Sequence, residues 1–145
     1  MNPKTASIAA FVVLVGCILW LALRGSLLAN GPVTIAIQAA AILLMIWARI
    51  TFRARSFHAA ANPTAGGIVT SGPYRFIRHP IYASVVYFLA GSAIAHPSAP
   101  SFVAILIAYP MLFVRMRTEE ILLIERYPEY GDYARRTARV IPGVW

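Results

Sequence analysis

Between Gly66 and Tyr82 the sequence reads GGIVTSGPYRFIRHPIY. Arg75, Arg78, His79 and the tyrosines Tyr74 and Tyr82 are packed there around a Gly72-Pro73 turn. The stretch is too polar and turn-rich to cross a bilayer, and too rich in donors for an idle linker. Pro80 suits a first helical position, where its missing N–H costs nothing. His79 then stands at the electropositive end of a helix, whose free N–H groups suit a carboxylate or phosphate. Tyr82 lies about one turn further on, within reach of the same pocket. The acidic counterpart is Glu119-Glu120, the one acidic pair next to an apolar run. Arg115 and Glu119 are four apart and share a helix face. An interfacial ion pair accounts for them at a few tenths of a kcal/mol. Carboxylates near hydrocarbon are costly, however, and usually functional; a cationic ligand is the partner expected here. These residues read as the floor of a cofactor site at a membrane surface.

Other chemistries fit less well. His58, His79 and His96 do not make a zinc spacing, so no metal site is expected, and His58 and His96 read as structural or solvent-facing. Ser71 and Ser84 lack a His/Asp partner set for a hydrolase. Cys17 is the single cysteine and lies in an apolar run. It excludes a disulfide framework within the chain and reads as packing.

The elements that must position this chemistry are membrane helices. The 145 residues are 59% hydrophobic and 12% charged, with a mean hydropathy of +0.68. So little charge cannot cover a soluble domain, which makes this a single integral membrane domain. Ala6–Leu23 and Val33–Ile50 are each long enough to span. A signal peptide is the rival for the first, but its apolar run exceeds the usual length. Gln38 reads as a helix–helix hydrogen bond and Trp47 as an interface residue. The polar loop from Ser56 to Pro80 follows, broken at Asn62-Pro63 and Gly66-Gly67, with Ile68 to Thr70 briefly extended. Ile81–Ala95 and Phe102–Val114 are shorter, about 22 and 20 Å as helix. The fourth helix is expected to continue through Arg115–Glu120 towards Arg126, with Pro110 kinking it. A basic tail carries Tyr130, Tyr133 and Ile141-Pro142.

The fold expected is therefore all-α, with about four transmembrane helices, a cytoplasmic cofactor-binding loop and a C-terminal helical tail. Residues 1–55 form two N-terminal spans and 56–145 a core. With four spans, twelve of the thirteen basic residues fall on one side and only Arg24 on the other. The positive-inside rule then puts both termini and the long loop in the cytoplasm. The net charge of +8 fits this topology better than nucleic acid binding, because the arginines flank apolar segments. The polar loop, the Arg115–Glu120 helix end and the Tyr130–Pro142 tail meet at one depth.

Thr70-Ser71-Gly72-Pro73-Tyr74, then Arg78-His79-Pro80-Ile81-Tyr82, then Arg117-Thr118-Glu119-Glu120, Tyr130-x-x-Tyr133 and Ile141-Pro142 together resemble the signature of the isoprenylcysteine carboxyl methyltransferase family. That family belongs to a wider group of small membrane methyltransferases that includes phospholipid methyltransferases. The resemblance covers Gly66 to Pro142, about half the chain. It implies an S-adenosylmethionine site on the cytoplasmic side. Ile68, Val69 and Tyr74 would line the cofactor, Arg78, His79 and Tyr82 would grip it, with His79 and Tyr82 at its methionine carboxylate, and Glu119 would meet its ammonium or ribose side, with Glu120 close by. Arg115 matches the arginine that faces the methyl acceptor, with Arg117 as a near competitor.

The departures concern the acceptor. Only two spans precede the core, Gly66-Gly67 replaces more polar residues, and Gly91-Ser92-Ala93 stands where phospholipid methyltransferases carry Gly-x-Gly. The cofactor site is therefore carried over and the acceptor is not. A lipid or other hydrophobic small molecule is the acceptor expected, in the inner membrane of a bacterium, which a four-span chain of this size suggests. Methyl transfer from a sulfonium is an in-line displacement that neutralises charge. It needs alignment and a dry pocket more than a strong acid or base, which suits a site poor in acid–base dyads. Two alternatives stand beside this. One is an NADPH-dependent membrane reductase related to sterol reductases, with Arg135, Arg136 and Arg139 on the 2′-phosphate. The other is a non-enzymatic membrane subunit.

Overall fold

The computed structural model describes residues 3–52 and 67–143, with side chains from Thr5 onward. Arg53, Arg55, His58, Asn62-Pro63 and Gly66 lie outside the described residues. Among the described residues five α-helices follow one another: α1 (Pro3–Leu23), α2 (Pro32–Phe52), α3 (Pro80–Ala95), α4 (Ala99–Arg126) and α5 (Tyr130–Arg136). A short 3₁₀ turn, Gly72–Arg75, precedes α3.

Three helices, α1, α2 and α4, are long and apolar enough to cross a membrane, and α3 is a shorter apolar helix. Large apolar side chains such as Leu19, Leu23, Val33, Leu43, Ile50 and Leu106 are exposed on their outer faces. In water this surface would be prohibitive; in lipid it is the proper exterior. This is an all-helical integral membrane protein.

The packing is pairwise, α1 along α4 and α2 along α3, with α3 joining the two pairs through α4. Leu14, Cys17 and Leu21 of α1 meet Ala104, Ala108, Leu112 and Met116 of α4 in the core. The alternation of small and large side chains lets the helices approach closely. Cys17 is thus a packing residue, as its apolar surroundings imply.

Local signals explain where the helices stop. α1 closes on Gly25, at φ 66°. Ser26 N–H donates to Leu21 C=O at 2.9 Å and Gly25 N–H to Ala22 C=O at 3.0 Å, the double bond of a Schellman cap. α3 begins at Pro80, with His79 as the cap residue. Ser98 caps α4 and accepts from Ser101 N–H. α4 then runs 28 residues through Pro110 to Arg126, about 42 Å at 1.5 Å per residue. That exceeds a hydrocarbon core of about 30 Å, so its last turns carry Arg115, Glu119 and Glu120 to the membrane boundary.

Gln38 behaves as expected. Its Nε2 donates to Leu27 C=O at 2.8 Å and Ser92 Oγ at 3.0 Å, and its Oε1 accepts from Ala29 N–H at 2.9 Å. The Gly91-Ser92-Ala93 stretch is part of this node, because a Cβ at Gly91 would come within 3.0 Å of Gln38 Cγ. His96 Nε2 pairs with Leu28 C=O at 2.7 Å, a structural contact between the turns after α1 and α3.

Ile68 to Thr70 carry no regular secondary structure. Further on, Ile77 and Ala138 form an isolated parallel bridge. Arg78 N–H donates to Ala138 C=O at 2.8 Å and His79 N–H to Arg139 C=O at 3.1 Å. The tail therefore returns to the loop and holds it against the entry to α3.

Candidate active site

α3 and α4 are antiparallel neighbours, so the start of one lies beside the end of the other. That places His79 against Glu119 and Glu120 across about forty residues of chain. His79 is 5% exposed. Its Nε2 is 3.2 Å from Glu120 Oε1 and its Nδ1 3.8 Å from Glu119 Oε2.

The two carboxylates differ sharply. Glu120 is 6% exposed and fully engaged. Arg78 Nε donates to it at 2.6 Å. Arg139 approaches from the tail with Nε at 3.1 and 3.2 Å and Nη2 at 3.0 Å, a forked pair. Arg78 also donates to the Thr137 carbonyl and, at 3.4 Å, to Ala134 C=O. Loop, α4 and tail are thus clasped through one carboxylate. The cationic ligand expected as partner of the acidic pair is replaced, for Glu120, by two guanidinium groups of the protein. Glu119 is less enclosed, with its side chain 31% exposed.

Tyr82 lies on the same face. Its ring is 5.5 Å from that of His79, and its hydroxyl is within interaction range of Glu119 and Arg115. Arg115 is 4% exposed. Its Nη1 donates to Ser7 C=O of α1 at 2.9 Å, and its guanidinium stands over the rings of Phe11 and Tyr82 at 5.0 and 5.7 Å. Arg117, two residues on, is exposed, because a step of about 200° turns it to the opposite face. Between the competing arginines, Arg115 is the one near Tyr82 and Glu119.

The loop forms one wall. Gly72 has φ 57°, and a Cβ there would meet Thr51 Oγ1 at 2.5 Å. Only glycine lets the loop seat so closely on the end of α2. Tyr74 is buried, packs at 5.5 Å against Phe52, and its carbonyl accepts from Tyr133 Oη at 2.7 Å. Ile68 and Val69 are half-buried just before this turn. Burial pushes the Tyr74, Tyr130 and Tyr133 phenols far above their ordinary pKa, so all three remain neutral hydrogen-bonding groups at physiological pH.

The structure therefore brings Arg78, His79, Tyr82, Arg115, Glu119 and Glu120 into one cluster. Tyr74 joins it from the loop, with Ile68 and Val69 further along. Four participants, Arg139, Ser7, Phe11 and Tyr130, were not legible as such. Arg139 looked like part of a basic run with Arg135 and Arg136, yet it is tied to Glu120 while Arg135 pairs with Asp132. That divides the arginine trio on which an NADPH phosphate site would depend. The available signal was scarcity: with five acidic residues in the chain, one buried beside hydrocarbon has to recruit a cation. Ser7 and Phe11 of α1 carried no signal, since both lie in an apolar helix. Tyr130 was seen only as part of a spacing.

The donor set suits a zwitterion. One carboxylate, Glu119, remains accessible, and an imidazole at a helix start lies beside it. A buried tyrosine hydroxyl, Tyr130 Oη, has no partner among the described residues. The phospholipid methyltransferase family matches residues 29–130 of the sequence. The chain belongs to that family. The match begins after α1 and includes the loop, α3 and α4. Two relatives of this phospholipid methyltransferase-family chain are each 33% identical over 76 residues, 52% of the chain. One is the cobalt-zinc-cadmium resistance protein CzcN of Cupriavidus metallidurans, of which 35% is covered. The other is the nickel-cobalt-cadmium resistance protein NccN of Alcaligenes xylosoxydans xylosoxydans, of which 36% is covered. The chain thus spans about a third of the length of these relatives.

Proposed function

We propose that this protein is an S-adenosylmethionine-dependent methyltransferase. Its acceptor is a lipid or other hydrophobic small molecule, and the site faces the cytoplasm of a bacterial inner membrane. The observation that carries the reading is the 3.8 Å approach of His79 Nδ1 to Glu119 Oε2 from opposite arms of one hairpin, within a segment of methyltransferase family character. When bound, S-adenosylmethionine supplies an electrophilic methyl group on a sulfonium.

The residues divide the work. Glu119 takes the ammonium or ribose side, and its partial exposure leaves it available from the cytoplasmic side. His79 and Tyr82 hold the carboxylate beside the start of α3. Ile68, Val69 and Tyr74 line the nucleoside and exclude water. Glu120 and Arg78 act one step back, fixing His79 and fastening the tail over the loop. Arg115, buried between α1 and α4, orients the acceptor. The lipid-facing seams between helices admit a hydrophobic acceptor from the bilayer, while the donor enters from the aqueous side. A carboxylate acceptor needs no base; an amine acceptor would lose its proton to a neighbouring group such as His79.

Purified protein in detergent is titrated with S-adenosylhomocysteine and, separately, with NADPH. Saturable binding of the nucleoside thioether without NADPH binding supports the reading, and the reverse pattern refutes it. Incubation with radiolabelled S-adenosylmethionine and a membrane lipid extract then identifies the acceptor from the labelled product.

A further inference from the structure

Tyr130 opens α5 and is 3% exposed. Packing and backbone bonds hold it. Its ring meets that of Tyr133 edge-on at 5.6 Å, and its N–H donates to Tyr127 C=O at 2.9 Å. Its hydroxyl has no hydrogen-bond partner among the described residues. A buried hydroxyl left without a partner costs about 1–3 kcal/mol, and native proteins satisfy the large majority of such groups. The unmet bond marks a place where something else completes it.

The charged groups acting on this hydroxyl include Glu120, Arg78 and Glu119. The tail that carries this phenol is bound by Arg78 through the carbonyls of Ala134, one turn beyond Tyr130, and Thr137, so Tyr130 stands beside the cluster of His79 on the tail side. Burial keeps it protonated, so it offers a donor. Glu120 does not answer it, for its oxygens already accept from Arg78 and Arg139, with His79 in contact. A bound molecule that offers an acceptor completes the hydrogen bond, and on the reading above the acceptor beside His79 is the carboxylate of the donor.

We propose that the Tyr130 hydroxyl is a ligand of the donor site that hydrogen-bonds, together with His79, to the carboxylate of a bound amino-acid nucleoside. This rests on the methyltransferase reading and names a further binding residue within it. It gives the tail a direct part in binding: α5 supplies a donor, while Arg139 fastens the segment that carries it.

The test compares the full chain and Tyr130→Phe in detergent. Each is titrated with S-adenosylhomocysteine and with 5′-methylthioadenosine, which has the same nucleoside without the amino-acid part. Thermal unfolding is recorded without ligand. The expected result is about tenfold weaker binding of S-adenosylhomocysteine, the scale of one hydrogen bond to a charged group. Affinity for methylthioadenosine should stay within about twofold of the unaltered protein, and the ligand-free melting temperature should be unchanged or higher. Unaltered S-adenosylhomocysteine affinity overturns the proposal, and so does an equal loss for both nucleosides. A lowered ligand-free melting temperature also overturns it, because the hydroxyl would then serve the fold through a buried water. If the unaltered protein binds neither nucleoside, the methyltransferase reading itself fails, which is a distinct result.

Discussion

Among the described residues a buried polar node stands near each end of α3, and the two are built on different principles. At the far end, Gln38 binds Leu27, Ala29 and Ser92. Every group is neutral, and the node is closed upon itself. At the near end, Arg78, His79, Glu120 and Arg139 form a charged clasp, and beside it Glu119 stays partly open. Closed neutral nodes join membrane helices. Charge at a membrane boundary is expensive, so a charged node with one open carboxylate points to a ligand.

Replacing Glu120 tests the clasp. Glu120→Gln leaves Arg78 and Arg139 buried without their carboxylate, and breaking such a pair costs about 3–5 kcal/mol. The tail should detach from the loop, seen as a large fall in melting temperature and early proteolysis after Arg126. An unchanged melting temperature would show that the clasp does not hold the tail.

A smaller change separates glue from ligand site. Gln38→Leu keeps the approximate shape but leaves the Ala29 N–H without its acceptor, while Ser92 Oγ still donates to Leu27 C=O. Stability should fall by about 1–3 kcal/mol, while affinity for S-adenosylhomocysteine stays the same. If that affinity fell as far as stability, the two nodes would not be independent.

The smallest effect is expected at the loop seat. Gly72→Ala forces a left-handed residue to carry a Cβ against Thr51, a strain of about 1–3 kcal/mol that local movement partly relieves. The variant should bind more weakly than it unfolds, because the displaced turn carries Tyr74. Thr51→Ala in the same chain should restore part of the loss, and no restoration would remove the contact as the cause.

Much of this was legible in the sequence. Apolar length located α1, α2, α3 and the start of α4 within a few residues, and Pro80 marks a helix start through its missing N–H. The grouping of His79 with Glu119 and Glu120 follows from hairpin topology alone, because antiparallel neighbours bring one start beside one end. What was not legible depends on the path of the tail. Nothing local to Arg139 distinguishes it from Arg135, yet one reaches a buried carboxylate and the other the exposed Asp132. The Ile77–Ala138 bridge decides between them, and a single bridge leaves no alternating pattern to read. The contribution of α1 was hidden for a related reason. Ser7 meets Arg115 through its backbone carbonyl, which any residue would offer.

The most direct test concerns the open carboxylate. Glu119→Gln should retain the melting temperature of the unaltered protein, since the clasp runs through Glu120. Its affinity for S-adenosylhomocysteine, measured by calorimetry in detergent, should fall by about tenfold or more, the scale of a hydrogen bond to a charged group. Affinity equal to that of the unaltered protein would contradict the assignment of Glu119 to the donor, and with it the zwitterion grip proposed between the two arms of the hairpin.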